Sequence, residues 1–474
     1  MLKYKHHPVG QLCSIIKGET GLASALPGNY PLVTTGADRK SCKTYQFDTE
    51  AVCIPLVSST GHGKKSLNYV HYQSGKFALG TILAALIPRE PQKLSAAFLH
   101  RYLQFYKDRK IVPLMKGAAN VSLAVKDIAK IEIPVPPINE QKSFIELFNK
   151  LSDSSYKLLN EFSNQTTYLS QLRQAILQEA IEGKLTAEWR KKNLVNHEYT
   201  QMHTNKKKDI SVHSSSFVVD DLDFAPASVL LEKIKAEKQR LIEEGKIRKE
   251  KPLAPIKPEE IPFELPEGWI WCRLPQILDT GDSLRRGPFG SSITKSMFIP
   301  KSQHSTKVYE QKNAIYKDYS IGSYYINIDI HKNLKYFLTG PGDIIISCAG
   351  TIGETYILPS EAPKGIINQA LLKIRLNNKI VCNQFFLKVF KSQTKARLNN
   401  DARGTAMKNI SSVVYLKNEL VFPLPPLAEQ RAIVERVDRL LSMVDDLEKQ
   451  VTERKGQAAE LMQTVLREAF ETGK

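Results

Sequence analysis

The chain has 474 residues, 42% of them apolar, and carries a net charge of +18, a size that suits two to four domains. No apolar run approaches the roughly 20 residues of a membrane span, and the opening residues, with Lys3 and Lys5, lack the apolar stretch of a secretion signal. Cysteines 13, 42, 53, 272, 348 and 382 are scattered with no C-x-x-C pair, so they read as reduced core residues of a cytoplasmic protein, not a disulfide or zinc framework.

Residues 1–133 read as a first globular unit of mixed α/β type. QLCSIIKG, AVCIPLV and the run from Phe77 to Ile87 look like buried strands between turn-rich loops. LSAAFLHRYLQFYKD (94–108) has helical apolar spacing, and the unit closes with a loop, a short helix and a strand over LMKGAANVSLAVKDIAKIEIP. SSTGHGKKS falls short of a phosphate-cradling P-loop, because Ser58 stands where Gly is needed and Lys65 where Ser or Thr is needed. It remains an exposed basic loop, with His62, Lys64 and Lys65 as candidate phosphate contacts.

Residues 134–181 (PVPPINEQKSFIELF…) and 423–470 (PLPPLAEQRAIVERV…) then align without a gap at a constant offset of 289. Each copy opens on a Pro pair (Pro136–Pro137, Pro425–Pro426) followed by Glu-Gln (Glu140–Gln141, Glu429–Gln430). Positions spaced alternately three and four apart, from Phe144 to Ile176 and from Ile433 to Val465, are apolar except Ser155, Gln165 and Arg454. That is the seam of a coiled coil, on helices of roughly 65 Å at about 1.5 Å per residue. A repeat at this period implies two similar halves and a pseudo-two-fold axis. Gln165 and Arg454 are equivalent polar seam positions, expected to meet mid-coil or to face a partner.

Residues 185–267 connect the halves. They comprise an aperiodic stretch (193–220), a charged helix expected to be capped by Ser228, and a proline-rich strap. Residues 268–422 parallel the first unit in layout, with WIWCRLPQIL, GDIIISCAGTIGETYIL and GIINQALLKIRL as strands and NQFFLKVFKSQ as a helix. The architecture expected is therefore α+β, with domains at 1–133, 134–184, 185–267, 268–422 and 423–474. The two long helices carry net charges of −2 (140–183) and −3 (429–471), which leaves +23 on the rest of the chain. That excess favours a polyanion, and nucleic acid is the usual one.

A self-contained DNA-modifying enzyme would show its site. An amino-methyltransferase needs Asn or Asp before Pro-Pro and an aromatic after it, yet both pairs follow Val or Leu and precede Ile or Leu. A nuclease site at Asp343 and Glu354 lacks a Lys two positions on, where Tyr356 stands. No Walker motif appears.

IPVPPINEQ, PLPPLAEQRAIVERVDRLL, QAILQEAIEGKLTAEWR, LLEKIKAEKQRLIEEGKIRKEKPLAPI and EEIPFELPEGWIWCRL together resemble the specificity subunit of type I restriction-modification systems. The resemblance implies a non-catalytic chain with two target-recognition domains joined by two long antiparallel helices. It implies double-stranded DNA as ligand, two methyltransferase subunits docked on the helices, and motor-nuclease subunits joining through them. S-adenosylmethionine, ATP and magnesium would belong to those partners. One departure is that residues 1–12 hold no counterpart of Pro266–Trp269.

On this reading the candidate DNA contacts are Arg39, Lys40, His62, Lys64, Lys65 and Lys116 in the first unit. In the second they are Arg285, Arg286, Ser291, Lys295, Asn368, Gln369, Arg403 and Lys408. Arg can fork onto guanine, and Asn or Gln onto adenine. The candidate partner contacts are Pro136, Pro137, Glu140, Gln141, Gln165, Pro425, Pro426, Glu429, Gln430 and Arg454. Two other readings stay open: a stand-alone DNA-modifying enzyme with a divergent site, and a coiled-coil DNA-binding scaffold or repressor.

Overall fold

A computed structural model describes residues 4–60, 63–118, 120–193, 223–247, 252–279, 281–288, 292–400 and 412–472. They form two compact units, Met1–Thr166 with Lys449–Lys474, and Thr167–Glu448. Each long helix, Ile138–Ile181 and Leu427–Thr472, gives one part to each unit.

The head of unit 1 holds strands β1 (His6–Pro8), β2 (Cys13–Lys17), β3 (Tyr30–Val33), β4 (Lys40–Cys42), β5 (Phe47–Asp48), β6 (Ala51–Pro55), β7 (His71–Gln73), β8 (Lys76–Leu79), β9 (Leu83–Pro88) and β10 (Glu132–Pro134). They pair as β2-β9-β6-β7, β4-β3-β8-β5 and β1-β10. The head of unit 2 holds β11 (Ile270–Arg273), β12 (Leu284–Arg286), β13 (Thr306–Tyr309), β14 (Tyr325–Ile326), β15 (Leu338–Thr339), β16 (Ile344–Ser347), β17 (Thr355–Ile357), β18 (Gly365–Ile367), β19 (Leu371–Ile374) and β20 (Val421–Leu424). These pair as β12-β19-β16-β17, β14-β13-β18-β15 and β11-β20. Among the described residues every strand of unit 1 thus has its counterpart ten strands later. The single parallel pairing recurs too, as β3 with β8 and β13 with β18.

The central strands explain why AVCIP and DIIIS read as unbroken apolar runs. In β6, Val52 and Ile54 face a helical layer with Phe98, Leu99 and Leu103, whereas Cys53 faces the second sheet with Val33, Phe77 and Leu79. In β16, Ile344 and Ile346 pack with Phe385, Phe386 and Val389, and Ile345 with Tyr309 and Ile367 on the other side. A strand buried on both faces needs apolar side chains at both phases of its pleat.

Two sequence expectations change. The run from Phe77 to Ile87 is two strands, β8 and β9, in two different sheets, separated by a turn at Gly80. A Cβ on Gly80 would lie 3.3 Å from the Val33 carbonyl oxygen, so the corner favours Gly. Ser228 does not cap the charged helix Ala227–Glu243, because Pro226 holds the cap position and Ser228 lies in the first turn. The other end is as read, with Gly245 at φ +68° and Lys246 N–H donating back to the Leu241 carbonyl. The stretch 194–222, which includes most of the expected linker, lies outside the described residues.

The long helices are seated by their Pro-Pro-x-x-Glu-Gln openings. Gln141 is fully buried; its amide donates to the Pro136 and Lys93 carbonyls (2.7 Å each) and accepts from Ser95 N–H (2.9 Å). Gln430 is also fully buried and does the same with Pro425 (2.9 Å), Ile380 (2.8 Å) and Cys382 N–H (2.8 Å). Each glutamine thereby ties a long helix to the start of a head helix, Ala96–Tyr106 or Asn383–Asn400. The end of the second helix is anchored in unit 1 by Phe470, whose ring lies 3.9 Å from that of Phe144 and 5.0 Å from that of Tyr102. Full burial of such a ring stabilises by about 1.5–3 kcal/mol.

Candidate nucleic-acid interface

In unit 1 the fold brings two of the expected basic loops together. Ser58 N–H donates to the Val121 carbonyl (3.0 Å), and Val57 and Lys116 both bridge to Ser122. Gly63, at φ +75°, sits so close to the second loop that a Cβ would stand 2.2 Å from the Ala118 carbonyl oxygen. Hydroxyls of Ser58, Thr60 and Ser66 brace the first loop internally, with Ser58 donating to the Lys64 carbonyl. Lys64, Lys65 and Lys116 are exposed on this joined platform. Lys116 reaches Asp127 at 3.3 Å yet keeps 76% of its side chain exposed, so it can also meet phosphate. His62 lies outside the described residues.

Arg39 is not part of that platform. Its Nε donates to Gln73 Oε1 (2.9 Å) and its Nη2 to the Tyr72 carbonyl (3.1 Å), with Nη1 3.3 Å from His71 Nδ1. Its guanidinium is thus engaged on three sides within the head. Burial pushes the neighbouring His71 and His100 down to about 4, with the Arg39 charge adding to the effect at both. Lys40 is exposed on β4.

In unit 2, β12 carries Arg285 and Arg286 to opposite faces, as the pleat requires. Arg286 donates to the carbonyls of Gln369 and Cys348 (3.3 Å each) and so links the Asn368–Gln369 turn to the β16–β17 turn. Arg285 instead pairs with Asp282 and lies over the rings of Tyr336 (5.4 Å) and Phe337 (5.8 Å). The two arginines expected to act together are therefore separated. Gln369 is exposed, whereas Asn368 is half-buried and accepts from Ala370 N–H (3.0 Å). Both line a cavity of about 160 Å³ with Phe298 and Tyr324, near exposed Lys295. Ser291, Arg403 and Lys408 lie outside the described residues.

Strand register exposes a residue that sequence reasoning missed. Ile54 pairs with Ala84 and Ile346 with Leu372, and these rows continue to Lys17 and Arg286. Lys17 is thus the equivalent of Arg286, each followed by a Gly. A Cβ on Gly18 would stand 2.2 Å from a backbone oxygen, and one on Gly287 1.8 Å from another. The signal was present in the sequence as Ser-Ile-Ile-Lys-Gly beside Ser-Leu-Arg-Arg-Gly.

The acidic residues weighed for a nuclease site are engaged elsewhere. Asp343 is fully buried and accepts from Arg375 Nε (2.6 Å) and Nη2 (2.7 Å), Thr339 Oγ1 and Gly340 N–H (2.9 Å each). Glu354 lies 4.0 Å from Lys317. Among the described residues no cluster of three His, Cys, Asp or Glu is placed to hold a metal ion, and no helix is long and apolar enough to cross a membrane.

A family model described as the type I restriction modification DNA specificity domain matches residues 1–167 and 299–454, more than half of the chain. The chain belongs to this family. It is similar to the EcoAI specificity subunit of a type I restriction enzyme from Escherichia coli, at 28% identity over 331 residues, which is 66% of this chain and 54% of that one. The match thus spans about half the length of that relative. The EcoDI specificity subunit, also from Escherichia coli, is 23% identical over 97% of this chain and 87% of its own. A solved HsdS subunit from Thermoanaerobacter tengcongensis shares the fold at a TM-score of 0.52 and 15% identity, covering 99% of this chain and 97% of that one.

As for the partner-facing residues expected of such a specificity chain, three are corrected. Gln141, Gln430 and Glu429 are 0%, 0% and 1% exposed and hydrogen-bonded within their own units, so no partner reaches them. Glu429 accepts from Thr186 Oγ1 (2.7 Å), Arg190 Nε (3.0 Å) and Nη2 (2.8 Å), and Trp269 Nε1 (2.8 Å). The GKLTAEWR, PEGW and PPLAEQ motifs are thereby knotted on one carboxylate. Pro136 and Pro425 are buried, Pro426 and Glu140 half-buried, and Pro137 exposed. Gln165 donates to Glu161 one turn back (3.0 Å), and Arg454 is exposed.

Proposed function

We propose that this chain is the non-catalytic specificity subunit of a type I restriction-modification complex, and that each head reads one half of a split target on double-stranded DNA. The observation that carries the reading is one strand order used twice with unlike loops between the same two strands, a lysine-bearing loop between β6 and β7 in one head and a short glycine-bearing loop between β16 and β17 in the other. A shared scaffold with divergent loops is what two half-site readers need, since phosphate contacts position and loop side chains specify.

On this reading the long helices run antiparallel as a coiled coil and fix the spacing of the half-sites. Two contacts support that sense. Phe144, early in the first helix, meets Phe470 at the end of the second, while Arg173, late in the first, holds Glu448 nearer the start of the second. Exposed apolar side chains on these helices, among them Tyr156 (67%), Tyr168 (63%), Met443 (58%) and Leu461 (65%), support docking of two methyltransferase subunits. Motor-nuclease subunits would join through them, and S-adenosylmethionine, ATP and magnesium would reside in those partners, in the cytoplasm.

The test is co-expression with a methyltransferase subunit, followed by mapping of methylated adenines. Exchange of residues 268–422 for those of another family member is expected to change one half of the target and leave the other half and the spacer as they were. Methylation by the purified chain alone, or a change in both halves, overturns the reading.

A further inference from the structure

The two heads fill one position in their common strand order with loops of unlike charge. The residues between β6 and β7 include Lys64 and Lys65, whereas residues 348–354 between β16 and β17 read CAGTIGE and hold no Lys or Arg. This second turn still lies beside the candidate base-reading residues, because Arg286 donates to the carbonyls of both Cys348 and Gln369 (3.3 Å each). What it offers in place of cations is backbone. Gly353 N–H donates to the Ser347 carbonyl (2.9 Å) and Glu354 N–H to Ser347 Oγ (3.0 Å), which fixes the far end of the turn. The N–H groups of Ala349, Gly350, Thr351 and Ile352 donate to no group among the described residues, and Gly350 and Thr351 are exposed. Gly350 stands at φ +58° and Gly353 at φ +92°. A Cβ on Gly350 would meet nothing nearer than the Gln311 amide at 3.7 Å, so glycine is there for the left-handed bend and not for want of space. Successive N–H groups in such a turn form a concavity suited to an anion.

A cation reaches this turn from another element. The helix Gln311–Tyr316 packs on β16 and β17 and ends at Lys317. Lys317 has φ +53°, and among the described residues it is the one non-glycine residue with positive φ. Glycine is the ordinary occupant of a left-handed helix end, because a Cβ is disfavoured there. The Lys317 side chain is 56% exposed, and its one ion-pair partner among the described residues is Glu354, the last residue of the turn, at 4.0 Å. An exposed pair that long contributes little to stability. The fold alone therefore gives no reason for a lysine where glycine would fit better, whereas a need for positive charge beside the turn does.

We propose that the 349–352 turn and Lys317 together hold a backbone phosphate of the DNA duplex, beside the bases met by Gln369. The main-chain N–H groups and the Lys317 ammonium take the part in unit 2 that the side-chain cations of the equivalent loop take in unit 1. The site rests on the reading that the heads meet DNA, and adds to it how the second head is docked. Neutral N–H donors hold a phosphate by direction, which fixes the register of the neighbouring side chains on the base edges. Lys317 supplies the charge that releases a counterion and offsets Glu354 at the rim.

The full-length chain is titrated over a range of salt with a labelled duplex of about 30 base pairs and arbitrary sequence, since a phosphate contact does not depend on sequence. Lys317→Gly is expected to lower affinity a few-fold and to reduce the salt slope by about one unit. Its denaturation midpoint should stay level or rise, because glycine suits φ +53°, and Lys317→Arg should keep the slope. Thr351 is exposed, so Thr351→Glu should fold normally while its carboxylate weakens binding about tenfold. In a Glu354→Gln background Lys317→Gly should still cost the same part of the slope; no cost there would mean that Lys317 only screens Glu354, and overturns the proposal. So does an unaltered slope in Lys317→Gly or an unaltered affinity in Thr351→Glu. Absent or salt-independent binding by the unaltered chain overturns the reading of the heads along with it.

Discussion

The turn from β6 to β7 in unit 1 (residues 56–70) and the turn from β16 to β17 in unit 2 (348–354) occupy one position in one strand order. The first is a lysine-bearing loop braced by its own hydroxyls and by the 116–122 loop, and the second is a short glycine-rich loop capped by Arg286. Beneath them the apolar alternation of β6 and β16 and the three hydrogen bonds of Gln141 and Gln430 are the same in kind. Stability and surface chemistry thus sit on different residues, and one head's loops can change without disturbing its layers.

The largest break in this likeness is at the helix openings. Glu429→Ala leaves Arg190 buried without its carboxylate and removes the acceptor of Thr186 and Trp269, which should destabilise unit 2 by about 3 kcal/mol. Glu140→Ala, at a half-buried carboxylate bonded to Tyr4, should cost under about 1 kcal/mol in unit 1. Calorimetric unfolding of the two variants would measure the asymmetry, and equal losses would mean that the two carboxylates do the same work.

Next are the glutamines, where the comparison should hold. Gln141→Leu and Gln430→Leu each strand one backbone N–H and two carbonyls, so each should cost about 2 kcal/mol in its own unit. Denaturant titration resolved by unit would test this, and losses differing by more than about twofold would count against a shared anchoring role.

Acid should separate the units again. The unfolded chain protonates histidine near 6.5, while burial holds His71 and His100 at about 4. Between those values the unfolded state binds the extra protons. This part of unit 1's stability is therefore complete above about pH 6.5 and is lost as the pH falls toward 4. In unit 2, His304 is exposed and His331 half-buried. Hydrogen exchange at pH 5 against pH 7 should show residues 51–106 losing protection while 344–390 hold theirs. Equal loss in both stretches would contradict the assignment.

The smallest effects expected are on DNA. Lys17→Ala, Lys65→Ala and Arg286→Ala should each lower affinity a few-fold and reduce the salt slope by about one unit. Arg39→Ala should leave the slope unchanged, because its donors are engaged by Gln73, Tyr72 and His71. A slope change for Arg39→Ala and none for Lys17→Ala would reverse the division between loop and scaffold.

The repeat, the long helices and the two similar heads could be read from residue order alone, since a seam of alternating three and four spacing, a Pro-Pro opening and an unbroken apolar strand are local patterns whose physics is local. The roles of individual polar residues could not. Gln141 and Glu429 look like partner-facing residues until the donors they accept from, at Ser95 and Arg190, are brought to them across 46 and 239 positions of chain. Arg285 and Arg286 look like a pair until the pleat turns them apart. Lys17 acquires meaning only when strand register makes it the equivalent of Arg286. Apolar periodicity is written along the chain because burial depends on which face a residue occupies, whereas a polar side chain's role depends on which distant group the folded chain places within about 3 Å of it.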